Sequence, residues 1–450
     1  MRFALMRLVD KHVGAWMCRG LALLQWALRK RVRHIDHPVP PEPESVREIL
    51  VMKFLGLGSI LQATPLFQAL RRRYPEARLT LLTFRSNRAL ADLDIGIDGI
   101  VTVDTSGFRS FLTSNLAALV KLWRVRFDLV INLEFFATYA TLLTALVRKR
   151  FAIGFGGFAP YRNRFFHDFI SYDSAQHVQQ KFLNFARRLG YSGPTPPLVR
   201  LHVSKAALAM AEIERREGFT LQTNDYCVLV NINSGEMAPR RRWPAEYFRS
   251  VVEDLVVRPR VRCVLIGGPQ DREIVARFQA RLSEPGRVVN LAGRISLAEL
   301  VALMQRADLY LGNDSGPLHI AACVGLPVLA LFGPESPAVY GPPPGARNTV
   351  LYRAEPCGPC LNVYTDKQSR CRDNVCLKRI RPAQVLNVLE DRYLGERRAG
   401  TRVARRSPIY DQEIPVVGAC PSVAPCEGND KISPRSLVLV GEPLGLSDSH

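Results

Sequence analysis

Short apolar runs alternate with amphipathic stretches through the middle of the chain, the pattern of a parallel sheet whose strands are joined by helices. In the first half, the apolar runs predict strands, and stretches with apolar positions three and four residues apart predict helices. Right-handed crossovers are expected for such units. The predicted strands are Ile49–Lys53, Arg78–Thr83, Gly99–Val103 and Asp128–Leu133, and the predicted helices are Gln62–Arg73 and Leu112–Val125.

The alternation breaks at the proline-rich run Pro194–Pro197 and resumes after a predicted helix, Lys205–Glu217. We therefore expect an α/β fold with two Rossmann-like domains, 47–200 and 201–394, that face one another across a cleft. Ligands bind beyond the carboxyl ends of the strands in such sheets, which places the expected site in that cleft. In the second series the predicted elements are the strands Tyr226–Asn231, Arg262–Ile266, Val288–Asn290 and Leu309–Leu311 and the helix Leu297–Gln305.

Both ends of the chain depart from this pattern. Residues 1–46 combine an amphipathic stretch, the basic cluster Arg29–Arg33 and a linker rich in proline and glutamate. Arg19 interrupts the apolar positions, and a bilayer span needs about 20 uninterrupted apolar residues, so we expect a helix that lies in the membrane interface. A helix packed on the protein body, or an arm with little fixed structure, is the alternative. Residues 395–450 lack periodicity and predict a tail with little fixed structure.

The most informative motif follows an apolar strand pattern that ends at Leu311. The sequence Asn313-Asp314-Ser315-Gly316 predicts a turn whose short side chains can cap a helix starting near Pro317, where a proline is tolerated. A helix N-terminus carries free backbone N–H groups and roughly half a positive charge, so it favours a phosphate group. This turn is therefore a candidate anion site.

The run Asn313–Gly333, with Tyr340–Pro342 after it, resembles the donor-site signature of the family 9 glycosyltransferases, the heptosyltransferases. The stretch Ile49–Pro75 is similar to the first strand, glycine turn and first helix of that family, so the resemblance covers roughly Arg47–Leu389. It implies the GT-B architecture and inverting transfer of a heptose, or a similar sugar, from a nucleotide diphosphate. ADP-heptose is the implied donor, and a lipopolysaccharide core or a related glycolipid or polysaccharide is the implied acceptor.

Two other functions fit the same residues. One is transfer from a different nucleotide sugar by a protein of the same fold, which binding of different donors would reveal. The other is a sugar-nucleotide-binding or scaffolding protein that kept the donor pocket and lost catalysis. Glu134 distinguishes the enzyme from the protein that lost catalysis, because an enzyme needs a carboxylate at this position or nearby.

The resemblance also implies which residues bind the donor. The family places a basic residue just before a Trp-Pro pair to hold the diphosphate, and Arg241 matches that spacing. An ordinary solvated basic patch is the alternative for these arginines. Asp314 resembles the residue that contacts the donor sugar, and the backbone N–H groups after it would face the phosphates. His319 either contacts a phosphate or packs beside a capped helix. The expected substrate-binding residues of this half are Asn233, Ser234, Arg241, Asp314, Ser315, Gly316, Pro317, Leu318 and His319.

The glycine turn after the first strand carries the main departure from the family. Heptosyltransferases usually have Gly-Asp there, with the aspartate thought to deprotonate the acceptor hydroxyl, whereas this chain has Gly58-Ser59. A serine cannot take that proton at neutral pH without another base, so Ser59 is expected to position the acceptor or an anion. Glu134 ends a predicted strand and is the expected base, which Phe135 beside it would desolvate. Binding of acceptor hydroxyls or capping of a helix is its alternative role, and Lys53 is expected nearby.

Four cysteines fall in one short segment with the spacing Cys357-x2-Cys360-x10-Cys371-x4-Cys376. Four thiols at such spacing could close a tetrahedral, structural zinc site. Free thiols or disulfides are the alternatives, and a cytoplasmic compartment argues against stable disulfides. Such a metal would not be catalytic, because four thiolates leave no open coordination position. No cofactor is expected for catalysis, since positive groups around the diphosphate can stabilise the leaving group.

The formal net charge of +20 over 450 residues narrows the choice of partners. A basic protein favours anions, which could be nucleic acid, acidic lipid headgroups or phosphorylated substrates. The chain has neither zinc-finger spacing with paired histidines nor an aromatic ribonucleoprotein strand, so we expect no nucleic acid. The expected partners are a nucleotide sugar, a glycolipid or polysaccharide acceptor and an anionic membrane surface. The expected location is peripheral, on the inner face of the cytoplasmic membrane.

Overall fold

The computed structural model describes residues 16, 18–20, 40–135, 137–156, 160–235, 239–345, 347–363, 369–394 and 438–440. These residues form two compact units, of which the first holds the described residues up to Ser204 together with Ser296–Val301, and the second holds the remainder. The predicted basic cluster Arg29–Arg33 lies outside the described residues. The predicted tail, 395–450, also lies outside them except for residues 438–440.

The first unit is built on one parallel sheet with the strand order β3-β2-β1-β4-β5-β6. The strands are β1 (Glu48–Met52), β2 (Arg78–Phe84), β3 (Gly99–Val103), β4 (Phe127–Asn132), β5 (Lys149–Gly156) and β6 (Asp168–Ser171). The helices are α1 (Leu57–Leu61), α2 (Thr64–Arg73), α3 (Phe108–Trp123), α4 (Thr138–Leu146), α5 (Pro160–Asn163) and α6 (Val178–Arg188), with a 3-10 helix at Arg85–Asp92. This strand order is that of a doubly wound Rossmann sheet.

The apolar pattern explains most of these elements. Residues Ile49–Met52 of β1 are all buried, as expected for a central parallel strand that is covered on both faces. The predicted helix Gln62–Arg73 corresponds to α2, which starts two residues later with Pro65 in its first turn, where proline is tolerated. Helix α3 starts at Phe108, one turn before the predicted start, directly after Gly107.

The second unit repeats the same strand order and adds an edge strand, giving β13-β12-β11-β10-β7-β8-β9. The strands are β7 (Tyr226–Asn231), β8 (Val261–Leu265), β9 (Val288–Asn290), β10 (Leu309–Asn313), β11 (Val328–Phe332), β12 (Asn348–Tyr352) and β13 (Val438–Val440). The helices are α7 (Ala206–Glu217), α8 (Ala245–Val256), α9 (Arg272–Gln279), α10 (Leu297–Arg306, whose residues up to Val301 are counted with the first unit), α11 (Gly316–Val324), α12 (Pro337–Tyr340), α13 (Val375–Lys378) and α14 (Pro382–Leu389). Short 3-10 helices lie at Pro239–Arg241, Pro269–Asp271 and Pro285–Arg287, and a π-helical turn follows α14 at Glu390–Leu394.

Strand β13 pairs antiparallel with β12, whereas the other strands of this sheet are parallel. It falls in the segment for which the sequence predicts little fixed structure, so that prediction does not hold for residues 438–440. The predicted fold class, α/β with two Rossmann-like domains, is confirmed by the two sheets. No helix among the described residues is long and apolar enough to cross a membrane.

The strand order reverses once in each sheet, between β1 and β4 in the first unit and between β7 and β10 in the second. At such a reversal the helices on either side leave the sheet in opposite directions and open a crevice at the carboxyl ends of the strands. Ligands of doubly wound sheets bind in this crevice. The two reversals are therefore the places where each unit is expected to hold a substrate.

Candidate functional site

Polar side chains collect at the reversal of the second unit. Strand β7 ends at Asn231 and its neighbour β10 ends at Asn313, and the two strands run side by side in register. Asn231, Asn313 and the residues Asn233, Asp314 and Ser315 that follow them are all buried. Because buried polar groups in proteins nearly always have hydrogen-bond partners, their bonds reveal which of them hold the site together.

Asn231 and Asn313 hold the two strand ends in place. The side chain of Asn313 accepts a hydrogen bond from the backbone N–H of Trp243 (2.8 Å) and donates one to the carbonyl of Ile232 (3.1 Å). The Asn231 amide donates to the hydroxyl of Ser315 (3.0 Å). These bonds connect the turn after β7, the turn after β10 and the segment that carries Arg241.

Arg241 and Asp314 form an ion pair at this edge, with 2.9 Å between Nη1 and Oδ2, and both side chains are largely buried. Burial opposes the charged form of Arg241, but the carboxylates of Asp314 and Glu335 outweigh it and raise the pKa of Arg241 above its ordinary value. Arg241 therefore stays a cation in the folded protein. His319, which is buried, lies on the other side of Asp314, with 4.0 Å between Nε2 and Oδ1.

Helix α11 begins at Gly316, directly after this pair, with Pro317 in its first turn. Ser315 occupies the N-cap position, but its hydroxyl does not cap the helix and donates instead to the carbonyl of Asn313 (3.1 Å). The prediction of a side-chain cap is therefore wrong, because the Ser315 hydroxyl is engaged by Asn231 and Asn313. No described side chain caps the first turn, so its amides and the positive end of the helix are left to an anion.

Several buried polar atoms at this edge have no partner among the described residues. Neither side-chain atom of Asn233 makes a hydrogen bond, and the same holds for Nε of Arg241. A buried polar group without a partner costs about 1–3 kcal/mol, so proteins rarely keep one without a reason. A polar ligand that bonds to Asn233 and Arg241 would remove this cost.

Sequence reasoning gave no site role to three residues here: it placed Asn313 in the predicted turn without a role, and it missed Asn231 and Glu335. Glu335 follows β11 by three positions, is buried, and acts electrostatically on Arg241. Each of the three stands at or just beyond the end of a buried strand. A polar residue at the carboxyl end of a predicted parallel strand is therefore the signal that would have identified all three.

The reversal of the first unit holds a second buried ion pair, between Lys53 after β1 and Glu134 after β4. Their Nζ and Oε1 atoms lie 2.8 Å apart, and both side chains are almost fully buried. The same Oε1 also accepts hydrogen bonds from the backbone N–H groups of Phe54 (2.7 Å) and Leu55 (3.1 Å). Three donors thus converge on one carboxylate oxygen and use its lone-pair sites.

Arg162, which the sequence analysis did not identify, holds the turn that carries Glu134. It is buried, and its guanidinium donates to the carbonyls of Phe135 (2.6 Å) and Glu134 (3.1 Å) and to the hydroxyl of Thr141 (2.9 Å). These bonds fix the backbone of the turn after β4. The structure therefore brings Lys53 and Glu134 together, as predicted, but surrounds the carboxylate with partners that hold a turn.

Gly58 and Ser59 lie in the short helix α1, which follows the end of β1. The turn into α1 passes through Gly56 at φ +80°, a backbone conformation that favours glycine. Ser59 is half-buried, and its backbone N–H donates to the carbonyl of Gly56 (3.0 Å). The predicted residues thus all follow β1 or β4: Lys53 and Glu134 lie in the turns, and Gly58 and Ser59 lie in the short helix α1.

The four cysteines of the segment Cys357–Cys376 line one small cavity of about 70 Å³ and form no disulfide. Burial raises the pKa of the Cys376 thiol to about 12 and that of Cys360 in the same direction. In the part of the chain that the structure describes, no three His, Cys, Asp or Glu side chains are grouped so as to hold a metal ion. A structural zinc site at these thiols stays a prediction.

This cysteine segment contacts the arginine turn of the donor site. Asn374 donates to the carbonyls of Arg240 (3.2 Å) and Arg242 (2.7 Å), and the guanidinium of Arg240 donates to the carbonyl of Arg372 (2.8 Å). The residues on both sides of Arg241 are therefore held by the cysteine segment, which gives that segment a structural role in placing Arg241.

Comparisons with known proteins match more than half of the chain. Residues 116–369 match the model of glycosyltransferase family 9 (heptosyltransferase). The chain is 26% identical over 291 residues to lipopolysaccharide heptosyltransferase 3 of Escherichia coli K12, which covers 63% of this chain and 82% of that protein. The family match spans more than half of the chain and includes Glu134, Arg241 and the Asp314 turn.

Two solved structures share the fold of the whole described chain. A family 9 glycosyl transferase from Veillonella parvula is similar with a TM-score of 0.66 and 23% identity, covering 81% of this chain and 99% of that one. The ADP-heptose lps heptosyltransferase II of Escherichia coli is similar with a TM-score of 0.63 and 21% identity, covering 78% and 99%. The resemblance noted in the sequence is confirmed: the chain belongs to glycosyltransferase family 9, the heptosyltransferases, and is a glycosyltransferase.

Proposed function

We propose that this glycosyltransferase transfers a heptose, with inversion, from ADP-heptose to a glycolipid acceptor of the lipopolysaccharide core type. The observation that carries the proposal is the Arg241–Asp314 ion pair beside the uncapped N-terminus of α11, next to the unbonded amide of Asn233. The named relatives support the choice of substrates, since one is a lipopolysaccharide heptosyltransferase and another an ADP-heptose lps heptosyltransferase.

The second unit holds the donor in this proposal. The diphosphate lies against the first turn of α11, where the N–H groups of Gly316 and Leu318 and the guanidinium of Arg241 neutralise its charge. Charge that develops on the departing ADP meets the same groups, so no metal ion is needed for the leaving group. Asp314 accepts hydrogen bonds from the sugar hydroxyls, and Asn233 and Ser234 contact the nucleotide.

The first unit binds the acceptor in this proposal, and its residues orient the acceptor hydroxyl. Glu134 holds Lys53 and the backbone amides of Phe54 and Leu55, which sets the shape of the turn that leads to Gly58 and Ser59. Ser59 then bonds to the acceptor. We assign Glu134 to this positioning role in preference to that of the base, because three donors already converge on its Oε1 atom. As the acceptor oxygen bonds to the sugar and the bond to ADP breaks, the proton of the acceptor hydroxyl passes to a water molecule.

A peripheral position on the inner face of the cytoplasmic membrane completes the proposal. A lipid-linked acceptor stays in the bilayer, so the enzyme must work at its surface. The net charge of +20 favours attraction to anionic headgroups.

The test is a calorimetric titration of the full chain with ADP-heptose, GDP-mannose and UDP-glucose, followed by a transfer assay with the donor that binds. We expect selective binding of ADP-heptose without added metal, and transfer to a deacylated core oligosaccharide. Binding without transfer to any acceptor would favour a sugar-nucleotide-binding protein that lost catalysis. Selective binding of another donor would mean that the enzyme transfers the sugar of that donor and not a heptose.

A further inference from the structure

Helix α3 (Phe108–Trp123) is apolar on two sides, but only one side is covered by the first unit. Ala118 and Leu122 are buried, and Phe111 and Leu119 pack partly buried against the same core. A helix that is apolar all round is normally enclosed on all sides. The second side of α3 therefore calls for an explanation.

That second side carries the largest run of exposed apolar side chains in the described part of the chain. Its members recur every three or four residues, so they project from one face of the helix. We call them the α3 stripe: Phe108 (71% exposed), Leu112 (61%), Leu116 (65%), Val120 (49%) and Trp123 (55%). A contiguous exposed apolar surface of this kind marks a place where a protein meets another surface.

The charged residues of the segment that carries the α3 stripe have one sign. Residues 105–127 contain no aspartate or glutamate, and they include Arg109, Lys121, Arg124 and Arg126, all of which are exposed. Apolar residues on one helix face with cations beside them are typical of helices that lie in the plane of an anionic membrane. The apolar face enters the boundary between headgroups and acyl chains, and the cations bind the headgroups.

The N-terminal arm meets the same region through helix α4. The indole N–H of Trp123 donates to the carbonyl of Leu146 at the end of α4 (2.8 Å). One turn earlier on α4, Leu142 packs against Cys18 of the arm, and Trp16 two residues before Cys18 is exposed. Cys18, in the segment for which the sequence predicts interfacial binding, thus packs against the helix that the α3 stripe reaches.

We propose that the α3 stripe is the surface by which this protein docks onto an anionic lipid bilayer, with α3 lying in the membrane plane. This inference rests on the proposed function, since it supplies the surface through which an enzyme for a lipid-linked acceptor reaches its substrate. Charge complementarity selects the bilayer over a second copy of the chain. A symmetric pairing of two such stripes would bring cationic rims together, which is unfavourable.

The test is flotation of the full chain with vesicles of phosphatidylcholine, with and without phosphatidylglycerol. We expect binding only to the anionic vesicles, and we expect L112S/L116S to lower the partition coefficient at least about tenfold. Leu208→Ser is the matched control, because Leu208 is 68% exposed on α7 of the second unit. This control should bind vesicles like the wild type.

A charge variant tests the second half of the inference. R124E/R126E keeps the α3 stripe and reverses the charge of two exposed cations. The ratio of its binding to vesicles with and without phosphatidylglycerol should therefore fall by about tenfold or more. Thermal melting should show that all variants fold, since every changed side chain is exposed.

Two results would overturn the inference. One is equal vesicle binding by the wild type and L112S/L116S. The other is a wild-type dimer in light scattering that L112S/L116S converts to a monomer, which would mean that a second copy covers the α3 stripe. Donor titration separates this inference from the proposed function, because L112S/L116S should bind ADP-heptose as the wild type does.

Discussion

Two buried ion pairs among the described residues, Lys53–Glu134 and Arg241–Asp314, stand at equivalent places in two sheets of the same strand order, yet their surroundings differ. Around Lys53–Glu134 in the first unit, one carboxylate oxygen accepts three hydrogen bonds, and Arg162 fixes the turn behind it. Around Arg241–Asp314 in the second unit, Nε of Arg241 and the whole side-chain amide of Asn233 have no partner among the described residues. The carboxylate of the first pair is used to hold the backbone, whereas the groups at the second pair remain available to bind a ligand.

This difference shows why a position in a fold does not by itself assign a role. Both pairs lie where doubly wound sheets bind ligands, and both combine a cation with a carboxylate. What separates them is how many of their donors and acceptors are already used. Substitutions at the two pairs should therefore have different consequences for stability and for binding.

The largest effect is expected at the first pair. Removing one partner from a buried ion pair leaves an uncompensated charge, so K53M and E134Q should each lower the free energy of unfolding by about 3–5 kcal/mol. The double variant K53M/E134Q should lose less than the sum of the two. Urea unfolding measures all three. An E134Q protein that keeps its stability and loses only turnover would make Glu134 the catalytic base after all.

The next effect concerns the sugar specificity of the second pair. Asp314→Ala should weaken ADP-heptose binding about tenfold, because the sugar hydroxyls lose a charged acceptor. The affinity for ADP alone should not fall, since the diphosphate can take the place of Asp314 beside Arg241. Calorimetry with both ligands gives the comparison. An equal loss for ADP and ADP-heptose would mean that Asp314 only supports the pocket.

A smaller effect distinguishes bonded from unbonded amides within the second unit. Asn313→Ala should lower the free energy of unfolding by about 1–3 kcal/mol, because the Asn313 side chain forms hydrogen bonds with three backbone groups. Asn233→Ala has no side-chain hydrogen bond to lose, so it should not lower the stability of the ligand-free protein, but it should reduce the rise in melting temperature that ADP-heptose causes. A large loss of stability in Asn233→Ala would show that this amide is structural.

The smallest effect lies in the cysteine segment that holds the arginine turn. Thiolates react with iodoacetamide, and burial raises the pKa of Cys376 to about 12, so at pH 8 Cys376 should react far more slowly than the exposed Cys357. The rate at Cys376 should rise as pH rises towards that pKa. Mass spectrometry of the labelled peptides follows each residue. Protection of all four thiols until a chelator is added would instead reveal the predicted zinc.

The apolar pattern was sufficient to predict the two α/β series, because buried parallel strands such as β1 and β7 are continuous apolar runs in the sequence. The ends of helices were less predictable. Helix α3 extends one turn towards the N-terminus, and its added residue Phe108 belongs to an exposed stripe that a pattern of buried positions does not reveal.

The site was predictable only in part, for a physical reason. Resemblance to a family assigned Arg241 and Asp314 to one donor site, and the structure pairs them. Lys53 and Glu134 lie together because their strands adjoin. The roles of Arg162 and Ser315 depend on partners that are distant in sequence: Arg162 bonds to the turn after β4, and the hydroxyl of Ser315 bonds to Asn231. No local pattern encodes such partners.

The measurement that tests the account most directly is a calorimetric titration of ADP-heptose into the wild type and into Arg241→Ala. Charge-assisted hydrogen bonds contribute about 1.5–3 kcal/mol each, so Arg241→Ala should bind at least about tenfold more weakly. Arg249→Ala, which removes an exposed arginine of α8 in the same unit, should bind as the wild type does. Equal affinity of Arg241→Ala and the wild type would contradict the placement of the donor at the reversal of the second sheet.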